Sequence, residues 1–219
     1  LITNATVTVV NDQVKAETYR RTIFVDVDDT CLDVLGGFVR WLGQMNRLKA
    51  ATGLSIKNRN VLGEWLGIDE GLAALWLKEF ENHTWQWGAL RPIPSSQQSL
   101  HLIRRQGWKI VALAHGITEF PRAVLRRANL EILFPGVFTD MYTMPDGASF
   151  YPYMKDQEDA ICITASIRTA NDTAQAGHSA YLLDQAWNRD LQDLRIRRFT
   201  NWINITNALT KSAPTIQIN

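Results

Sequence analysis

Residues Ile23-Phe-Val25 form a short run of β-branched and aromatic side chains that stops at Asp26-Val-Asp-Asp-Thr30, and this abrupt change constrains the chain more than any other feature. The apolar run reads as a strand buried on both faces, because such residues pack well on a pleated surface and leave no side to face water. Asp26, Asp28 and Asp29 then crowd like charges at the strand's end, and something positive must answer them. In an extended segment Asp26 and Asp28 leave the backbone on the same side, and Thr30 follows them. A divalent cation held by Asp26 and Asp28 is the expected answer, since hard cations take carboxylate oxygens. The plain alternative is an acidic turn after a buried strand.

Beyond Asp33 the pattern becomes helical. Val34, Leu35, Phe38, Val39, Trp41 and Leu42 recur at spacings of three and four, continued by Met45 and Leu48, and predict a helix ending near Gly53. From Ile56 to Trp87 further helices are expected, with Trp65, Leu66, Leu72, Leu75, Trp76 and Phe80 as their apolar stripe. Trp41, Trp65, Trp76, Trp85 and Trp87 all fall in this region. Packing is their ordinary use, and a cap whose aromatics stack on a base is the sharper alternative. Arg91-Pro-Ile-Pro94 closes the insertion, and a helix from Ser95 or Ser96 runs to Gly107.

Strands are then expected at 108–113, around 133–139, at 160–163 and at 180–183, with helices at 120–129 and 166–176 and a loop over 142–153. This alternation predicts an α/β fold, a Rossmann-like parallel sheet with ligands at the carboxyl ends of its strands. The expected organisation is an N-terminal extension (1–22), a core (23–33 and 91–200), a helical cap (34–90) and a C-terminal tail (201–219). The extension carries Val7-Thr-Val-Val10, which reads as an edge strand or a partner-binding arm.

Composition narrows the partners. With 23 basic and 22 acidic residues the net charge is +1, which gives no global pull toward nucleic acid or anionic membrane. No apolar run approaches the roughly 20 residues that span a bilayer. Two cysteines, Cys31 and Cys162, are too few for a disulfide framework. The expectation is a soluble protein of a reducing compartment such as the cytoplasm, with an organelle left open because the first residue is Leu1.

Asp26-x-Asp28-x-Thr30 after a hydrophobic strand resembles the first motif of the haloacid dehalogenase-like (HAD) superfamily. The string Gly177-His-Ser-Ala-Tyr-Leu-Leu-Asp-Gln-Ala-Trp-Asn-Arg189 is similar to the 5'(3')-deoxyribonucleotidase group within it. The resemblance implies a phosphohydrolase acting on a phosphomonoester such as a nucleoside monophosphate. In that scheme Asp26 attacks phosphorus to give an aspartyl-phosphate, and Asp28 moves the protons. Asp26 and Asp28 would hold Mg²⁺, with Thr30 and Lys155 contacting the phosphate.

Two elements of that pattern are missing. Ala114 stands where a Ser or Thr should end the second strand, with His115 as a substitute donor. Thr164 and Ala165 stand where the fourth motif should supply carboxylates for the metal. The alternative is therefore a catalytically degenerate HAD-like protein, serving as a structural or binding component of a larger protein assembly.

Overall fold

The computed structural model describes residues 21–48, 62–82, 84–116, 122–191, 193 and 195–211. Among them six parallel strands form one sheet: β1 (Thr22–Asp26), β2 (Lys109–His115), β3 (Asp140–Met144), β4 (Ile161–Thr164), β5 (Ser179–Leu183) and β6 (Ile196–Phe199). Their order is β3-β2-β1-β4-β5-β6. The expected α/β parallel sheet is thus present. The strands expected at 23–25, 110–113, 161–163 and 181–183 lie side by side in it.

β1 is central because its side chains are apolar on both faces. Ile23 and Val25 pack with Ile110, Ala112, Ile161 and Ile163 on one side. Phe24 packs on the other with Val111, Leu113 and Cys162, beneath Phe150 and Met154. Asp26 is paired in register with Leu113, so the first carboxylate falls at the carboxyl edge of the sheet. The strand order also reverses between β1 and β4, which opens a crevice at that edge.

The described part of residues 34–90 is helical, as expected: α1 (Val34–Gln44), α2 (Leu62–Leu66), α3 (Glu70–Asn82) and α4 (Thr84–Trp87). Phe38 stacks on Trp41 with ring centres 6.0 Å apart and meets Phe80 at 5.7 Å, and Phe80 meets Trp87 edge-on at 6.0 Å. These rings are continuous with the apolar cluster under the sheet, so the segment shares the main core. Trp41 and Trp87 are buried there, whereas Trp85 faces solvent.

The core helices are α5 (Ser96–Arg105), α6 (Arg122–Leu133), α7 (Tyr151–Met154), α8 (Ile167–Gln175) and α9 (Trp202–Lys211). Asn129 on α6 fastens the helical segment by donating to the carbonyls of Gly88 (3.1 Å) and Leu90 (3.4 Å).

Three elements differ from expectation. α6 runs on to Leu133, and a turn at Gly136 (φ 68°) displaces the next strand from 133–139 to Asp140–Met144, into the start of the expected loop. β6 forms from Ile-Arg-Arg-Phe, where Arg197 lies against the rings of Tyr181 and Phe199 and keeps its charge at the sheet edge. Residues 202–211, expected as tail, form a helix packed on α5. The expected strand near Val7–Val10, the helix end near Gly53 and residues 117–121 lie outside the described residues.

The Trp202 indole is wholly buried and donates through Nε1 to the carbonyl of Thr30 at 2.7 Å. Trp202→Phe keeps most of the ring but orphans that carbonyl. Urea denaturation is expected to show a loss of about 2 kcal/mol.

Candidate active site

The loop after β1 is shaped by its own backbone. The Val27 carbonyl accepts from the amides of both Cys31 (3.1 Å) and Leu32 (3.0 Å), which curls the chain tightly. Asp29 takes a positive φ of 53° at the bend, a conformation that Asp tolerates better than most residues. Two of the loop's carboxylates then serve α1. Asp29 Oδ1 accepts from the Leu35 amide at 2.8 Å, and Asp33 caps the helix through Gly36 at 2.9 Å while pairing with Arg40 at 2.9 Å.

Asp26 is almost wholly buried, and its Oδ2 accepts two hydroxyls: Thr164 at 2.8 Å and Thr169 at 3.1 Å. Thr164 ends β4, and Thr169 lies in the first turn of α8. Burial lifts the Asp26 carboxyl to about 6. The charge of Asp28 adds to the rise, while the Thr164 hydroxyl, His115 and Thr169 oppose it. Thr164 in turn accepts from the Ser166 amide at 2.9 Å, so its hydroxyl hydrogen is directed to Asp26.

Asp28 faces a cation that sequence reading missed. Arg126 of α6 is fully buried and brings Nη2 to 2.8 Å from Asp28 Oδ1, with its guanidinium 4.0 Å from the Trp87 ring centre. The contact is one of charge, since neither atom meets hydrogen-bond geometry. Burial draws Arg126 below its ordinary value, and Asp28 is the largest influence against that. One signal for it was present: Arg122, Arg126 and Leu130 share a row at spacing four, which sends an arginine inward.

The other expected site residues are placed differently. Thr30, expected on the phosphate, is wholly buried; its hydroxyl donates to the Asp28 carbonyl at 3.3 Å and accepts from the Ala165 amide at 2.8 Å. It ties the loop to the chain before α8. Lys155 follows α7 in an exposed position and is not among the groups paired with Asp26 or Asp28. Ala114 is buried in β2 and offers no hydroxyl. His115 ends that strand, with its ring 4.3 Å from the Phe150 ring centre and Nδ1 3.4 Å from the Pro145 carbonyl. Both cysteines are buried free thiols, pushed up by burial.

The Asp184–Arg189 string is a clamp. Asn188, fully buried, donates to the carbonyls of Ala165 (3.0 Å) and Leu183 (2.9 Å) and accepts from Arg198 at 2.6 Å. Asp184 pairs with Arg189 at 3.1 Å and Arg198 at 3.0 Å. Between this string and the start of α1 lies a crevice of about 460 Å³ that includes Asp29, Asp33, Trp187 and Arg189.

No family model matches the sequence, and no curated protein matches it. Solved structures do. A HAD hydrolase from Bacillus subtilis, bound to magnesium, aligns with a TM-score of 0.60 and 16% identity over 88% of this chain and 100% of its own. A haloacid dehalogenase-like hydrolase from Streptococcus pneumoniae aligns at 0.59 with 10% identity, over 86% of this chain and 98% of its own. The chain has the HAD-like fold. The D,D-heptose 1,7-bisphosphate phosphatase of B. bronchiseptica, complexed with magnesium and phosphate, aligns at 0.54 with 13% identity over 88% of this chain and 99% of its own.

The HAD-like crevice of this chain offers a thin donor set for Mg²⁺. Among the described residues no three His, Cys, Asp or Glu side chains come together as a metal-ligating group. Asp26 Oδ2 already serves two hydroxyls, Thr164 brings a hydroxyl and no charge to it, and Arg126 stands against Asp28. A cation brought beside Asp28 would meet the like charge of that guanidinium.

The pH dependence of stability tests the Asp26 environment. Its folded carboxyl binds a proton more tightly than the unfolded one, so its stabilisation is full below about 4 and is lost as pH rises through about 6. Asp26→Asn keeps an oxygen for both threonines and removes the titration. Relative to the wild type, the variant is expected to gain on the order of 2 kcal/mol between pH 4 and 7, read by urea unfolding at each pH.

Proposed function

We propose that this chain is a HAD-like protein that does not hydrolyse phosphomonoesters and serves as a structural or binding component of an assembly. The observation that carries the reading is the state of Asp26. A nucleophilic carboxylate needs a free oxygen facing phosphorus and a cation to offset the charge that builds up there. Asp26 Oδ2 already accepts from Thr164 and Thr169, so one of its two oxygens is committed, and Thr164 stands where the fourth motif would call for a metal-binding carboxylate. Ala114 adds no donor for a phosphate oxygen, and Asp28 is engaged by Arg126 rather than free to move a proton. Phosphoryl transfer relies on such electrostatic positioning, and each lost donor costs roughly two to three powers of ten in rate.

The second reading is a phosphohydrolase of small phosphorylated molecules, including nucleoside monophosphates. Its support is placement: Asp26 and Asp28 lie at the carboxyl edge of the sheet, beside the crevice where parallel sheets take ligands. In that chemistry an Asp26 oxygen bonds to phosphorus as the ester oxygen leaves with a proton, and water then cleaves the acyl phosphate.

Phosphate release from nucleoside monophosphates and p-nitrophenyl phosphate, with Mg²⁺ and with EDTA, separates the readings. The proposed outcome is no release above that of Asp26→Asn under either condition. Turnover that disappears in Asp26→Asn would establish the phosphohydrolase instead.

A further inference from the structure

Arg126 reaches from α6 into the space beside Asp28 with none of its surface exposed. A guanidinium stripped of water is costly unless its charge and its donors are answered. Here it has one charge contact, with Asp28 at 2.8 Å, and one ring face, that of Trp87 at 4.0 Å, while Nε and Nη1 reach no acceptor. Asp29 and Glu81 add a weaker pull of charge, and Glu81 also binds Arg122 at 2.8 Å. So poor a set of hydrogen bonds implies that the charge itself is what the position needs. The need is visible on the other side of the contact, where Asp26, Asp28 and Asp29 occupy one tight loop, two of them almost wholly buried.

We infer that Arg126 is the pocket's built-in counter-cation, standing beside Asp28 in place of a divalent ion so that the carboxylate cluster assembles without metal. The flat guanidinium suits this role better than an ammonium would, because it can stack on Trp87 with one face while its edge meets the carboxylate. A single side chain thereby joins the loop after β1, α4 and α6. The inference rests on the reading that the site does without Mg²⁺, but its test reads folding rather than phosphate release. EDTA-resistant turnover would sink the non-hydrolytic reading and leave this role intact.

The experiment is urea unfolding of the wild type, Asp28→Asn, Arg126→Met and the double variant, each with Mg²⁺ and with EDTA. Arg126→Met removes the cation and is expected to lower the folding equilibrium constant about a hundredfold or more, the usual consequence of stranding one member of a buried pair. Adding Asp28→Asn to it should recover about tenfold or more, because a neutral pair leaves no uncompensated charge. Mg²⁺ should raise the midpoint of Arg126→Met and leave that of the wild type unmoved. The inference is overturned by additive losses in the double variant, by a wild-type midpoint that climbs with Mg²⁺, or by an Arg126→Met midpoint indifferent to it. If Arg126→Met does not fold, Asp28→Asn decides: it strands the buried guanidinium and must lower the midpoint, and an unchanged midpoint overturns the role.

Discussion

A carboxylate at the end of a strand buried on both faces must be met by a donor or a cation, and in this protein that demand organises everything around β1. Asp26 cannot retreat to solvent, because Ile23, Phe24 and Val25 hold the strand in the middle of the sheet. Its answer comes from Thr164 and Thr169, which forces β4 and the first turn of α8 to sit where they do. Asp28 is answered from the opposite side by Arg126, which fixes α6 and, through Trp87, the helical segment. Asp29 and Asp33 are answered by the amides that open α1. Four acids at one edge of a sheet thus determine the placement of three helices.

The same interactions show how the acidic loop of this HAD-like fold is satisfied by the chain's own groups. A hydroxyl can fill the structural half of a metal ligand's role, since it satisfies the buried oxygen it faces, but it brings no charge to hold a cation. Thr164 does this for Asp26, and Thr30 does it for the loop by linking Asp28 to Ala165. The protein-borne charge of Arg126 completes the set.

What was legible in the sequence was local. The run Ile23–Val25, the strands around 110, 161 and 181, and the helical periodicity after Asp33 all follow from apolar spacing, and the structure has each of them. The first carboxylate's position followed too, since a strand's end is fixed by where its apolar run stops. Partnerships between distant elements were not legible. Arg126 in a helix of mixed polarity gives no hint of which acid it meets, and Lys155 looked suitable by spacing yet faces solvent. β6 was hidden because Ile-Arg-Arg-Phe has a strand's alternation only at its ends, its middle being carried at an exposed edge. α9 could have been read from Trp202, Ile205 and Leu209, whose spacings of three and four place them on one face, all buried.

The bond from Trp202 to Thr30 spans 172 positions along the chain, and that from Thr164 to Asp26 spans 138. On a ribosome the acidic loop emerges well before two of the groups that quiet it, Arg126 for Asp28 and Thr164 for Asp26. Until β2 is made β1 is an apolar strand without either neighbour, and until β4 is made it lacks the second, while it ends in mutually repelling acids. Such long sequence separations slow folding, because a large loop must close before any contact rewards it. The nascent chain would therefore pass through a stage in which an apolar strand is exposed, and that is where assistance from a chaperone would matter most.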